Sequence, residues 1–378
     1  MNAPVPFNRS SLQGRELEFI FQSISSGQIA GDQTFSRRCQ QLLEGTLGIP
    51  RALVTTSCTH ALEMSALLLD FQPGDEVIIP AFTFVSTVNA FVLRGARPVF
   101  CDIRPDTLNI DESKVGALFS SKTKALVPVH YAGVACEMDP LLALARHHGA
   151  AVVEDNAHGL FGRYRGRWLG TLGDLATQSF HETKNITCGE GGALLINDRA
   201  LIERAEIIRE KGTNRARFFR GQIDKYSWVD IGSSYVMSDV LAAFLFGQLQ
   251  CWDTIQSNRR DKWLRYDEAL TSWAAHNDVR RPFIPPHCEQ AWHMYYLLMP
   301  TAAARTRFLA HLKERQISAV FHYLPLHLSE YARRWDFKPG QCPVTEDVSD
   351  RLVRLPFYNT LSDEDQARVI ECIQQFIV

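Results

Sequence analysis

Between residues 50 and 200 short apolar runs alternate with segments whose apolar positions recur every three to four residues. The runs lie at 52–54, 75–80, 97–103, 125–131, 150–155, 176–180 and 193–196, and the segments between them include amphipathic helices after Ser57, from 85 to Leu93 and near 140–148. Continuous apolar runs separated by helical periodicity predict an α/β fold with a mostly parallel sheet covered on both faces. In such sheets ligands bind beyond the carboxyl ends of the strands. Phe84, His130, Asp155, His158 and Ser179 fall at those ends.

Outside this region the pattern changes. Residues 1–35 mix Pro, Ser and Gly and read as an arm, with a helix at 14–25 and a turn at 27–32; a helix follows with Phe35, Cys39, Leu42 and Leu43 on one face. A helix at 200–210, stopped by Gly212, leads into 213–228, a basic, aromatic and aperiodic stretch expected to be a long loop. The helix starting at Ser238-Asp239 carries Val240, Leu241, Phe244, Leu245 and Leu249, more apolar surface than one buried stripe needs, which points to a subunit interface. From about 253 the chain becomes Trp- and Arg-rich, then Pro-rich at 281–286. The expected division is an arm and large domain at 1–252 and a smaller α+β domain at 253–378.

The candidate chemistry centres on 179–192, a polar, Gly-rich stretch between two apolar runs with Lys184 in its middle. A lysine amine attacks a carbonyl only when its pKa is lowered and its position fixed, and a loop held between buried strands supplies both, so Lys184 reads as a Schiff-base lysine. Gly189, Gly191 and Gly192 allow a tight turn beside a bulky ligand. Ser57 and Thr59 stand at a helix start, where unpaired N–H groups suit a phosphate or simply form an N-cap. Asp155 ends an apolar run, where a carboxylate needs a cationic partner. The pyridinium nitrogen of pyridoxal 5'-phosphate is one; capping the next helix is the alternative. Phe84 suits stacking on the ring, Ser179 the phosphate, and His158 the ring hydroxyl.

With 46% hydrophobic and 22% charged residues and a formal net charge of -2, the chain of 378 residues has no global attraction for nucleic acid or anionic membrane, and a small-molecule ligand is favoured. No apolar run approaches the roughly 20 residues that cross a bilayer. Nine cysteines without CxxC spacing and a start lacking a signal-peptide pattern suggest reduced thiols and a cytoplasmic location. A metal-dependent hydrolase built on His130, Asp155, His158, His181 and Glu182 is the rival, but no metal-ligand spacing supports it. A noncatalytic binding protein of the same fold is a second rival, against which stand Lys184 and Asp155. Arg215, Arg217, Arg220 and Lys225 concentrate charge in the basic stretch, which reads as a grip on a nucleotide diphosphate or as a solvated loop.

Six stretches, 56–59, 80–84, 129–133, 154–159, 179–185 and 232–235, resemble the DegT/DnrJ/EryC1/StrS sugar aminotransferases, and the resemblance runs from about residue 6 to the C-terminus. It implies a fold type I, pyridoxal phosphate-dependent homodimer with shared active sites, Lys184 and Asp155 as catalytic residues, and Cys58, Thr59, Phe84, His158, Ser179 and Ser234 around the cofactor. The branch it resembles most, from the wording at 179–185 and 224–239, passes an amino group from L-glutamate to a dTDP-4-keto-6-deoxy sugar in making enterobacterial common antigen. Arg220, Lys225, Tyr323 and His327 are then the expected substrate contacts. His158 stands where the family usually has Gln, and Ser234 where many members carry an Asn that reaches the partner's phosphate. Lys184 is retained where the family's dehydratases have histidine.

Overall fold

A computed structural model describes residues 3–378. Its first half threads α1 (Glu16–Ser25), α2 (Thr34–Leu47), β1 (Arg51–Thr55), α3 (Cys58–Leu68), β2 (Glu76–Pro80), α4 (Val85–Val92), β3 (Arg97–Cys101), α5 (Glu112–Val115), β4 (Thr123–Leu126), α6 (Met138–His148) and β5 (Ala151–Asp155). A small ribbon of β6 (Arg163–Tyr164) and β7 (Arg167–Trp168) precedes β8 (Leu175–Ser179) and β9 (Gly192–Ile196). The main sheet has seven strands in the order β1-β9-β8-β5-β4-β2-β3. All neighbours are parallel except β9, which runs antiparallel to both β1 and β8.

The strand interiors are largely apolar because both faces are covered. Along β9, Ala193 and Leu195 pack with α1, α2 and α9, while Leu194 and Ile196 pack with α3 and α7 on the other side. The period-2 alternation of the pleat sends successive apolar residues into two separate cores. The parallel strands that meet at the centre therefore all end on one edge of the sheet, where Pro80, Asp155 and Ser179 stand.

After β9 come α7 (Ile202–Arg209), α8 (Arg215–Phe219), α9 (Asp239–Gln250) and the 25-residue α10 (Trp252–His276). β10 (Cys288–Glu289) joins the small ribbon; β11 (Tyr296–Leu298), α11 (Ala302–Glu314), α12 (Pro343–Arg351), β12 (Leu352–Arg354) and α13 (Asp363–Gln374) complete the chain. A core of its own, with Trp263, Tyr266, Tyr295, Phe308 and Ile373, holds this C-terminal part together. Among the described residues no helix is long and apolar enough to cross a membrane.

The structure adds detail to three expectations. Within the arm, Val5 is buried in the C-terminal core and bridges Ile317, which fastens this part of the arm to the C-terminal part. The stretch 213–228 is not wholly aperiodic, since α8 forms within it. Much of the apolar surface of α9 is covered inside the chain, where Ala242, Ala243, Leu245, Phe246 and Leu249 pack with Phe19 of α1 and Phe35, Cys39 and Leu43 of α2, while Leu241 stays exposed. The periodicity of one helix cannot report that two others lie against it.

Candidate active site

The strand ends build one wall. Asp155 closes β5 with its side chain buried; its Oδ2 accepts the Thr87 hydroxyl at 2.7 Å and its Oδ1 accepts the Ala157 N–H at 3.1 Å. β1 turns directly into α3, whose N-cap Ser57 accepts the His60 N–H at 3.1 Å. Gly192 re-enters the sheet against this turn: a Cβ there would lie 2.3 Å from the Ser57 carbonyl carbon and 2.4 Å from the Cys58 nitrogen, so only glycine fits. Gly189, at φ 87°, supplies the left-handed turn that returns the lysine loop.

Lys184 is held from several sides. Its N–H donates to the His181 carbonyl at 2.9 Å. The next residue, Asn185, is clamped by the C-terminal part: its amide donates to the Ala291 carbonyl and to Gln256 Oε1, and its Oδ1 meets His293 Nδ1 at 2.9 Å. Because the amide nitrogen is occupied as a donor, Oδ1 must accept, which fixes the proton of His293 on Nδ1. From the chain start, Asn8 donates to the Glu182 carbonyl at 3.1 Å.

These elements enclose a cavity of about 700 Å³. Of the residues expected at the site, Lys184, Asp155, Ser57, Cys58, Thr59, Phe84, His158, Ser179 and Tyr323 line it. Burial pushes the Lys184 amine down to about 8, with the charge of Arg354 adding to the effect and that of Asp155 opposing it. Burial likewise holds His158 well below the usual imidazole range, helped by the charges of Lys184 and Arg354. The Cys58 thiol is pushed up to about 12 by burial and the nearby Asp155 charge, so it stays protonated.

Other expected residues are elsewhere. His130 is fully buried and paired with Glu154, Nε2 to Oε2 at 2.9 Å, while Glu154 also accepts the N–H groups of Gly170, Leu172 and Gly173. It braces the sheet and does not face the cavity. His327, expected to contact substrate, is also buried and spends its Nε2 on Glu346 at 2.9 Å, outside the cavity. Arg220 pairs with Glu206 at 2.6 Å beside a separate cavity of about 320 Å³ between α2, α7 and α8. Neither Arg220, Lys225 nor the exposed Ser234 lines the Lys184 cavity of its own chain. Among the lining residues that were not anticipated are His293 and Arg354, both contributed by the C-terminal part.

The donor set fits pyridoxal phosphate. A lysine amine and a carboxylate share one enclosed space; the adjoining start of α3 offers hydroxyls and N–H groups for a phosphate; and Nδ1 of buried His158 has no partner among the described residues. Phe84 leaves 56% of its surface uncovered at the cavity wall, room for a flat ring to cover.

A family model described as the DegT/DnrJ/EryC1/StrS aminotransferase family matches residues 11–374. The spore coat polysaccharide biosynthesis protein SpsC of Bacillus subtilis is 31% identical, the match covering 99% of this chain and 97% of the relative. Among solved structures, the aminotransferase TlmJ from Streptoalloteichus hindustanus superposes with a TM-score of 0.90 at 29% identity, covering 98% of each chain. The PLP form of the putative sugar aminotransferase Spr1654 from Streptococcus pneumoniae shares the fold, with a TM-score of 0.90 at 24% identity and 98% coverage of each chain. The shared fold is the type I fold of PLP-dependent aminotransferases. From the cavity and these likenesses together, the chain belongs to the DegT/DnrJ/EryC1/StrS aminotransferase family and is a sugar aminotransferase dependent on pyridoxal phosphate.

Proposed function

We propose that this enzyme moves the amino group of L-glutamate to the C4 keto group of a dTDP-4-keto-6-deoxyhexose, giving dTDP-4-amino-4,6-dideoxygalactose, the product of the dTDP-4-amino-4,6-dideoxygalactose transaminases. The observation that carries the chemistry is that Lys184 and Asp155 face one enclosed cavity with the lysine amine held near pKa 8. The choice of sugar rests on the wording of 179–185 and 224–239, and the role of SpsC in spore coat polysaccharide biosynthesis is compatible with an amino-sugar product. A cytoplasmic location suits nucleotide-linked substrates.

Lys184 and Asp155 are the catalytic residues in this reading. Pyridoxal phosphate supplies, when bound, an electron sink for the carbon that gains or loses the amine. Asp155, kept in place by Thr87 and the Ala157 N–H, holds the proton on the ring nitrogen. Lys184 anchors the cofactor and then, as a free amine, carries the proton to and from the substrate carbon; an amine near pKa 8 is poised to do both at neutral pH. Ser57, Cys58 and Thr59 at the start of α3, together with Ser179, hold the phosphate, and Phe84 covers the ring. His158, neutral, meets the ring hydroxyl without adding charge. Tyr323, its hydroxyl 3.4 Å from His158 Nε2, faces the sugar.

The active form in this reading is a homodimer. Ser234, Arg220 and Lys225 then serve the partner's cavity, Ser234 at the phosphate and the two cations at the nucleotide diphosphate. Trp228 at 79% and Phe219 at 61% exposure leave apolar surface on the same stretch for a second copy to cover. The test is a panel of dTDP-, UDP- and GDP-linked keto sugars offered with glutamate to the purified holoenzyme. The reading expects the dTDP-4-keto-6-deoxyhexose to give the highest kcat/KM; preference for another carrier or a C3 ketone would overturn the assignment of substrate.

A further inference from the structure

His158 lines the cavity with little to hold it by hydrogen bonds. Its Nδ1 is buried without a partner among the described residues, and its Nε2 has only the Tyr323 hydroxyl at 3.4 Å, a marginal bond. Packing therefore sets the plane of the ring. His293 lies face to face with it, ring centres 4.2 Å apart and planes within 18°. The other rings around it are farther off: His322 at 5.9 Å, Tyr131 at 6.0 Å and Tyr323 at 6.5 Å.

His293, by contrast, is firmly placed. Two residues before it, the Ala291 N–H donates to the Gly133 carbonyl at 2.9 Å, and the carbonyls of Trp292 and His293 accept from Arg259 at 2.8 and 2.6 Å. Between these anchors Trp292 holds φ at 53°, a left-handed conformation that a bulky residue keeps only where its surroundings impose it. The Nδ1–H of His293 donates to Asn185 Oδ1 at 2.9 Å, and Asn185 directly follows Lys184. One imidazole thus touches the lysine loop with its edge and His158 with its face.

We propose that His293 is a positioning residue for amino transfer, its edge registering the lysine loop through Asn185 and its face fixing the ring of His158. This rests on the transaminase reading above. Two groups that must meet one cofactor are then set by a single ring of the C-terminal part, and a misplacement of about 1 Å at a reacting group costs about 100-fold in rate. The face also keeps water from His158. Around that ring stand the charges of Lys184 and Arg354, which together with burial keep it neutral, and Asp155 on the cavity wall. Burial holds His293 and His322 below the usual imidazole range as well, and keeps the phenols of Tyr131 and Tyr323 protonated. Removing the His293 ring lets water reach His158 and moves its proton affinity up.

Two variants separate edge from face. His293→Asn puts an amide nitrogen near the place of Nδ1, keeping a donor for Asn185 while removing the ring; His293→Phe keeps a flat ring and removes the donor. In cofactor-free enzyme labelled with 15N-histidine, the His158 signal, identified by its absence in His158→Gln, should take up a proton at higher pH in His293→Asn than in wild type or His293→Phe. In the holoenzyme the kcat–pH profile of His293→Asn should gain an acid limb, and His158→Gln/His293→Asn should lack it because an amide does not titrate. His293→Phe should gain no limb but lose about 10- to 100-fold in kcat at every pH, with both KM values within about threefold, and should form the absorbance of the lysine-bound cofactor about tenfold more slowly when cofactor is added. Both variants within about threefold of wild type in kcat would overturn the proposal. Equal losses with unchanged pH profiles would overturn it too, leaving His293 as packing for the C-terminal part, and so would an acid limb that persists with glutamine at position 158. A wild-type enzyme that never forms a lysine-bound cofactor would instead remove the reading on which the proposal rests.

Discussion

Lys184 is where chemistry and stability conflict, and Lys184→Met measures the conflict. In the folded chain burial lowers the amine from 10.5 to about 8. At about 1.36 kcal/mol per pKa unit the full shift corresponds to roughly 3 kcal/mol, but the cavity admits water to the tip of the side chain, and about 1–2 kcal/mol is the realistic cost. The sign follows from proton linkage. Below pH 8 both folded and unfolded chains carry the protonated amine, and the folded one bears the cost of keeping a charge out of bulk water. Between pH 8 and 10.5 the folded lysine is neutral while the unfolded one still holds its proton, so the cost fades as pH rises. Cofactor-free Lys184→Met should therefore melt about 1–3 °C above cofactor-free wild type at pH 7, and the gap should narrow by pH 10. Thermal melts at matched scan rates check this, alongside loss of transamination and of the absorbance of the lysine-bound cofactor. A variant no more stable than wild type at pH 7, or a gap that ignores pH, would refute the reasoning.

Four further outcomes follow from the same geometry. Asp155→Asn should keep the fold and lose about 100-fold or more in kcat, because a neutral amide cannot hold the ring proton; near-normal turnover would remove Asp155 from the site. Phe84→Ala should weaken cofactor binding about five- to tenfold with a smaller effect on kcat, as fluorescence titration of the cofactor would show. Gly192→Ala should destabilise by about 3 kcal/mol or fail to fold, since its Cβ would press on the Ser57–Cys58 backbone at 2.3–2.4 Å, which denaturation or soluble yield would reveal. Neutralising Arg220 and Lys225 together should raise KM for the nucleotide sugar while sparing the glutamate half-reaction; equal damage to both would mean that the stretch supports the cofactor or the dimer instead.

What the sequence by itself determined is the part of this protein that local patterning encodes. Runs such as Val77-Ile-Ile79 could only be strands buried on both faces, and in the structure all three are fully buried. Strands alternating with helices leave the ends of the parallel strands on one edge, and that argument places Phe84, His130, Asp155, His158 and Ser179 at those ends. Tertiary structure decided which polar residues at those ends are free. His130 and Asp155 look equivalent in sequence, yet His130 is spent on Glu154 inside the molecule while Asp155 opens on the cavity. His327 meets Glu346, and Arg220 meets Glu206, for the same reason: the partner of a charge is chosen by packing, which periodicity does not carry. Most of the apolar surface of α9 is met by α1 and α2, which its own periodicity does not report. Arg354 and His293 lie more than 100 positions from Lys184 and have no motif around them; only the docking of the C-terminal part against the lysine loop, through Asn185, brings them to the cavity.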